Sequence, residues 1–267
     1  MLLTLPDGAE LHYEVAGDGP PVVFLHPGMW DSRTWDPQVP TFTAAGFRVF
    51  RFDFRGYGRS SRLTGAPYSG AGDLIALLDH LEVPEAALVG CSIGGGIAID
   101  AAIEHPERVW ALVPVASGLG GFEPLEEEED RWAAATDGLD ALLESGALEA
   151  AEDLLLKIWA PLGTDDDAGA EIRRIAFDNL HVLSMDESGG VELDPPAATR
   201  LHEIDAPALV VKASDDPPFM RRCSDVIAAG IPGARMVLIE EADHVVNLRR
   251  PAAFDAAVLP FLDEVRP

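Results

Sequence analysis

The segment Ala87-Leu88-Val89-Gly90-Cys91-Ser92-Ile93-Gly94-Gly95-Gly96 joins an apolar run of strand length to a glycine-rich turn and then to a helical pattern. A serine at such a strand-to-helix turn projects its hydroxyl beyond the sheet. The Gly-x-Ser-x-Gly spacing removes the Cβ atoms that would collide at the bend. Ser92 is therefore a candidate nucleophile for acyl transfer. The helix that follows directs its N-terminal N–H groups and positive dipole end at the same point.

A serine hydroxyl attacks well only when a base takes its proton, and the base needs a third group to orient it. Both residue types occur after later strand-like runs. Pro207-Ala208-Leu209-Val210-Val211 leads to Ser214-Asp215-Asp216-Pro217, and Met236-Val237-Leu238-Ile239-Glu240 leads to Glu241-Ala242-Asp243-His244-Val245. His244 precedes the C-terminal helical pattern, in a short loop from which its imidazole reaches back over the sheet edge. The other histidines suit the task less: His12 lies in an early strand, His80 and His105 near helix ends, His181 and His202 in or beside a helical insertion. Asp215 and Asp216 are neighbours in an extended turn and point in different directions. One of them faces His244, and spacing alone leaves the choice open.

Negative charge developing on an acyl oxygen needs two N–H donors. Ile93, the residue after Ser92, supplies one. The other comes from the loop His26-Pro27-Gly28-Met29-Trp30 after an early strand. Pro27 has no N–H. Gly28 allows close backbone approach and is preferred, with Met29 in reserve. His26 reads as a residue that stabilises this loop. Cys91, beside the nucleophile, is expected to turn into the fold. Cys91 and Cys223 are the only cysteines, too few for a disulfide framework or a four-thiolate zinc site. Gly56-Tyr57-Gly58 begins like a dinucleotide-binding turn but runs into Arg59-Ser60-Ser61. No cofactor and no metal are expected.

The elements that must hold these residues alternate between strand and helix. Strand runs cover Glu10 to Val15, Val22 to His26, Arg48 to Asp53, Ala87 to Cys91, Val109 to Val115, Ala208 to Ala213 and Met236 to Glu240. Helical spacing covers Gly72 to Leu81, Ile93 to Glu104, Pro218 to Ala229 and Pro251 to Val265. This pattern predicts an α/β fold: a mostly parallel twisted sheet flanked by helices, antiparallel only at its N-terminal edge. Between Gly118 and His202 no convincing strand occurs, and the helical patterns Asp137 to Ser145, Leu148 to Trp159 and Glu171 to Leu183 predict a helical insertion. The expected organisation is a core of residues 1–117 and 203–267 with an insertion at 118–202.

Composition sets the outer bounds. The chain has 267 residues, 48% of them apolar, with a net charge of −27. It is long enough to bury a core without disulfides or metal. So acidic a chain is repelled by phosphate backbones and anionic lipid, which disfavours nucleic acid and membrane surfaces as partners. The segment Phe122 to Pro195 holds 21 Asp or Glu against 4 Lys or Arg. Its run Glu126 to Asp130 reads as a solvated helix N-terminus. The first residues lack the basic region and long apolar stretch of a secretory signal, and no run of 18 apolar residues occurs. A cytoplasmic location is expected.

Five segments together resemble the α/β-hydrolase fold family: His26-Pro27-Gly28, Asp53-Phe54-Arg55-Gly56-Tyr57-Gly58-Arg59-Ser60, Gly90-Cys91-Ser92-Ile93-Gly94-Gly95, Asp216 and His244. The resemblance runs from about Leu11 to Leu262. His105-Pro106-Glu107-Arg108-Val109 and Ile231-Pro232-Gly233-Ala234 resemble the bacterial branch that includes 3-oxoadipate enol-lactonase-like esterases. The resemblance implies that Asp216, rather than Asp215, is the acid. It also implies a serine hydrolase that cleaves small esters or lactones through a Ser-His-Asp triad, and a helical cap at the insertion. Met29, Trp30, Trp132, Trp159, Phe177 and Val245 are the expected pocket residues. The same triad serves cofactor-free carbon-carbon bond hydrolysis and perhydrolysis, and some members of the superfamily are non-catalytic receptors. Dehalogenase chemistry, which uses an aspartate nucleophile, does not fit Ser92. Two positions depart from the pattern: Cys91 stands where His is common, and Ala213 where Gly usually begins the acid-bearing turn.

Overall fold

A computed structural model describes every residue except Glu187, and the strand runs meet in one sheet. In chain order the elements are β1 (Leu2–Thr4), β2 (Glu10–Ala16), β3 (Pro21–Leu25), α1 (Gln38–Ala44), β4 (Arg48–Phe52), α2 (Gly70–His80), β5 (Ala86–Cys91), α3 (Ile93–Glu104) and β6 (Val109–Val115). There follow α4 (Glu126–Ala135), α5 (Leu139–Glu144), α6 (Leu148–Trp159), α7 (Asp167–Asp178), β7 (Leu209–Ala213), α8 (Pro218–Gly230), β8 (Arg235–Ile239), α9 (Val246–Arg249) and α10 (Pro251–Val265). Among the described residues the sheet has eight strands in the order β1-β2-β4-β3-β5-β6-β7-β8. Only β2 runs against the rest, pairing antiparallel with β1 and β4, so the antiparallel pairing is confined to the N-terminal edge as expected.

The two-residue period of a strand divides the apolar residues between two cores. Val23, Leu25, Phe50, Leu88 and Val210 join a cluster with α2, α3 and α8. Their neighbours Val22, Phe24, Val49, Val89 and Val211 join a second cluster with α1 and α10. The central strands β5 and β6 are buried along their whole length, as strands covered by helices on both faces must be.

Parallel pairing brings the carboxyl ends of several strands to one edge. Leu25 of β3 pairs with Gly90 of β5, Cys91 with Val115 of β6, and Ala213 of β7 with Ile239 of β8. The triad and oxyanion candidates from the sequence follow these ends: Gly28 after β3, Ser92 after β5, Asp216 after β7 and His244 after β8. The chain reverses its direction of winding between β3 and β5, and such a switch point leaves a crevice where open α/β sheets bind ligands.

Residues 118–202 carry α4 to α7 and short 3₁₀ turns, with no sheet strand among those described. Helix α7 begins at Asp167 rather than Glu171 because the Asp166 carboxylate accepts from the Gly169 N–H at 2.6 Å and caps the first turn. It ends at Asp178, and Leu180–Ser184 continues as 3₁₀. The acidic run Glu126 to Asp130 does open a helix, but Glu128 is buried there and pairs with Arg222 of α8 at 2.8 Å. None of the described helices is long and apolar enough to cross a membrane.

Candidate active site

Ser92 has φ +55° and ψ −119°, a backbone conformation that non-glycine residues rarely adopt. The flanking glycines make it possible. A Cβ on Gly90 would collide with the backbone of Gly94, and one on Gly94 would lie 2.5 Å from the Leu25 carbonyl. The bend packs α3 directly against β5 and the end of β3, with Ser92 at its apex. The Ser92 carbonyl accepts from the N–H groups of Gly95, Gly96 and Gly118 at 2.9 to 3.1 Å, which fixes the bend.

His244 and Asp216 meet across the next two loops. The imidazole Nδ1 donates to Asp216 Oδ1 at 2.8 Å, and both side chains are almost fully buried. A carboxylate on Nδ1 fixes that tautomer and leaves Nε2 to accept a proton. Asp215 instead is exposed and accepts from the Ser214 hydroxyl at 2.5 Å, so the adjacent carboxylates do point apart. The buried thiol of Cys91 donates to the His244 carbonyl at 3.4 Å, which brings the residue next to Ser92 against the histidine loop. Burial, with Asp216 and Asp243 nearby, pushes that thiol well above its ordinary range, the opposite of what a nucleophilic thiolate needs.

The loop after β3 closes on the same point. A Cβ on Gly28 would stand 3.7 Å from the Ile93 side chain and 3.8 Å from the Tyr57 hydroxyl, so the two residues expected to supply N–H donors are neighbours. Met29 takes a positive φ of 67°, a second strained residue at this edge. His26 fastens the loop: Nδ1 donates to the Pro27 carbonyl at 2.8 Å, and Nε2 accepts from the Phe54 N–H at 3.0 Å. Burial lowers its pKa, in keeping with a neutral ring used for structure.

The residues expected to form a pocket separate into two groups. Trp132 and Trp159 stand 5.5 Å apart and, with Phe219 of α8, line a cavity of about 410 Å³. The Trp159 ring lies 4.3 Å from that of His244, and its carbonyl accepts from the His244 N–H at 3.2 Å. A second cavity of about 310 Å³ shares Trp132 and Phe219 and reaches Asp216. Trp30 and Val245 are fully covered in a cluster with Leu156, Ile172 and Ile175, against which Met29 packs. Trp30 also donates from Nε1 to the Ile172 carbonyl at 2.8 Å. Phe177 lies beneath the Arg173 guanidinium at 3.6 Å. The sequence reading did not single out Phe219, although it is an aromatic residue only three positions beyond Asp216. Nor did it single out Asn179, which donates to buried Asp31 at 2.8 Å and accepts from the Gly58 N–H at 2.9 Å, joining α7 to two core loops. No group of three or more His, Cys, Asp or Glu suited to hold a metal occurs among the described residues.

Comparison with known proteins bears on the family. The family model described as alpha/beta hydrolase fold matches residues 20–251. The chain is 30% identical to a Mycobacterium tuberculosis protein provisionally named non-heme bromoperoxidase BpoC, over 96% of this chain and 98% of that one. It is also 30% identical to a Burkholderia vietnamiensis 2-hydroxy-6-oxononadienedioate/2-hydroxy-6-oxononatrienedioate hydrolase, over 96% and 92% of the two chains. Among solved structures, the N-acyl homoserine lactone degrading enzyme Est816 superimposes with a TM-score of 0.75 at 28% identity, over 97% and 99% of the two chains. With a matching eight-stranded sheet, a family match over most of its length and hydrolase relatives, the chain belongs to the alpha/beta hydrolase fold family and is a hydrolase.

Proposed function

We propose that the protein is a serine hydrolase cleaving small carboxylic esters or lactones through an acyl-enzyme on Ser92. The observation that carries this reading is the buried 2.8 Å bond from His244 Nδ1 to Asp216, on a loop where the His244 carbonyl accepts from Cys91, the neighbour of a serine held at positive φ. Ser92 Oγ attacks the acyl carbonyl carbon while His244 Nε2 takes the hydroxyl proton. The N–H groups of Ile93 and Gly28, with Met29 in reserve, hold the oxyanion. Collapse of the tetrahedral species expels the alkoxide, which receives the proton from His244, and water then attacks the acyl-enzyme by the same route in reverse. Asp216 keeps the imidazole oriented and stabilises the imidazolium.

In this reading residues 1–117 and 203–267 are the catalytic core, and 118–202 form a helical lid over Ser92. The contact of Trp159 with His244 and the bond from Trp30 to Ile172 support the lid. The cavity beside Trp132, Trp159 and Phe219 suits an apolar acyl or alcohol group of modest size. The acidity of the lid gives no long-range attraction to polyanions.

The names of these two relatives, among several at 30% identity, favour a second reading, in which the same triad performs carbon-carbon bond hydrolysis or perhydrolysis. A panel of p-nitrophenyl esters of rising acyl length, run beside lactones, vinylogous diketones and peracid formation from hydrogen peroxide, separates the two. Fastest turnover on esters or lactones supports the first reading. No turnover on any member would reject both readings of the substrate class.

A further inference from the structure

Arg249 of α9 is a buried cation whose side chain is only 4% exposed. Its Nη2 donates to Asp243 Oδ2 at 2.7 Å and to the Gly163 carbonyl at 2.8 Å, and its Nη1 donates to Asp166 at 3.0 Å. Asp243 precedes His244 and is wholly buried, and its second oxygen has no partner among the described residues. Gly163 and Asp166 lie in the turn between α6 and α7. One guanidinium thus spans from the residue before His244 to the segment that carries Trp159.

We propose that Arg249 is a positioning residue for His244: it neutralises Asp243, so that Asp216 alone governs the imidazole's charge, and it ties the α6–α7 turn to the histidine loop. The proposal rests on the reading of His244 as the base. Among the described residues, Asp215 and Asp216 from the turn after β7, Cys91 from β5 and Arg249 from α9 meet that loop, Arg250 pairs with Glu241 at its start, and Asp166 before α7 meets Arg249. Burial raises the Asp243 carboxyl above its ordinary range while Arg249 and His244 pull it down. Without Arg249, Asp216 and Asp243 would be two buried carboxylates at this loop with no buried cation. An uncompensated buried anion in the residue preceding His244 stabilises imidazolium, and a histidine that is already protonated cannot serve as base.

Titration of His244 by ¹⁵N NMR, assigned with His244→Gln, reads this effect whether or not the protein turns over substrate. Arg249→Met is expected to move the titration upward by about one pH unit. Asp243→Asn, which leaves the cation paired only with Asp166 and the Gly163 carbonyl, moves it downward. The double variant Arg249→Met/Asp243→Asn returns it close to wild type, and Arg249→Lys holds it there. Where esters are cleaved, the acidic limb of kcat/KM follows each shift. Asp166→Asn keeps an acceptor for the α7 cap but removes the charge on the turn, and is expected to raise KM with the limb unmoved.

An unmoved titration in both Arg249→Met and Asp243→Asn, or a double variant that remains displaced, reduces the pair to a structural ion pair and overturns the electrostatic role. An unchanged KM in Asp166→Asn overturns the tether. Shifts of the expected sign in a protein that cleaves no ester or lactone leave the positioning role standing and reject the ester and lactone reading instead.

Discussion

Asp216, and not its neighbour Asp215, accepts the proton-bearing Nδ1 of His244, at 2.8 Å and out of contact with solvent. Asparagine at Asp216 can no longer favour the productive tautomer or stabilise the imidazolium, so Asp216→Asn is expected to lower kcat by roughly 10⁴. Asp215→Asn leaves kcat within a few-fold of wild type. Steady-state kinetics on the best ester of the panel check both, and a reversed order of severity would show that the acid was misassigned.

Cys91 separates two candidate nucleophiles. Its thiol is buried, donates to the His244 carbonyl and is held in its protonated form by burial. Cys91→Ala is therefore expected to lose about 1 kcal/mol of stability while keeping most of its turnover. Iodoacetamide should leave the native enzyme active at neutral pH. Loss of activity in Cys91→Ala as deep as that in Ser92→Ala would contradict the assignment.

Trp132 and Trp159 line a cavity with Phe219, and the Trp159 ring lies against His244, whereas Phe177 packs under Arg173. Trp132→Ala and Trp159→Phe are expected to shift relative kcat/KM among acyl chain lengths by about 1 to 3 kcal/mol. Phe177→Ala lowers Tm and leaves the chain-length profile in place. A profile unaltered in both tryptophan variants would remove the lid from substrate selection.

Glu152 of α6 has no exposed surface, and neither carboxylate oxygen meets a partner among the described residues. Burial, reinforced by Asp153 and opposed by Arg173, pushes its carboxyl from 4.5 up to about 7. A folded-state value above the unfolded one means that the protonated form stabilises the fold. That contribution is complete below about pH 4.5 and is lost as pH rises through about 7. Glu152→Gln, which cannot ionise, should melt near wild type at the acidic end and be more stable by up to about 3 kcal/mol near pH 8. Thermal melts at the two ends test this, and a difference independent of pH would contradict it.

Much of this arrangement was legible from residue order. Strand runs at β3, β5, β7 and β8 each ended shortly before a candidate site residue, and parallel pairing requires such ends to share an edge. The Gly90-x-Ser92-x-Gly94 spacing reflects two steric contacts that any added Cβ would violate. Helix α1 was not legible because Pro40 and two threonines break its pattern. Pro40 is tolerated in the first turn, where an N–H has no intrahelical partner. The choice between Asp215 and Asp216 is a matter of side-chain direction, which spacing does not encode and which needed the family resemblance. Asp243 and Arg249 escaped notice because their pairing depends on the turn of the chain through α9, and their link to Gly163 and Asp166 on long-range packing.

The central claim is that Ser92 is the nucleophile, and covalent labelling tests it most directly. A fluorophosphonate probe followed by intact-mass and peptide analysis is expected to add one label per wild-type chain, mapped to Ser92. Ser92→Ala is expected to take no label and to lose on the order of 10⁶ in kcat while keeping its Tm. A label on another residue, or unimpaired hydrolysis by Ser92→Ala, would contradict the account.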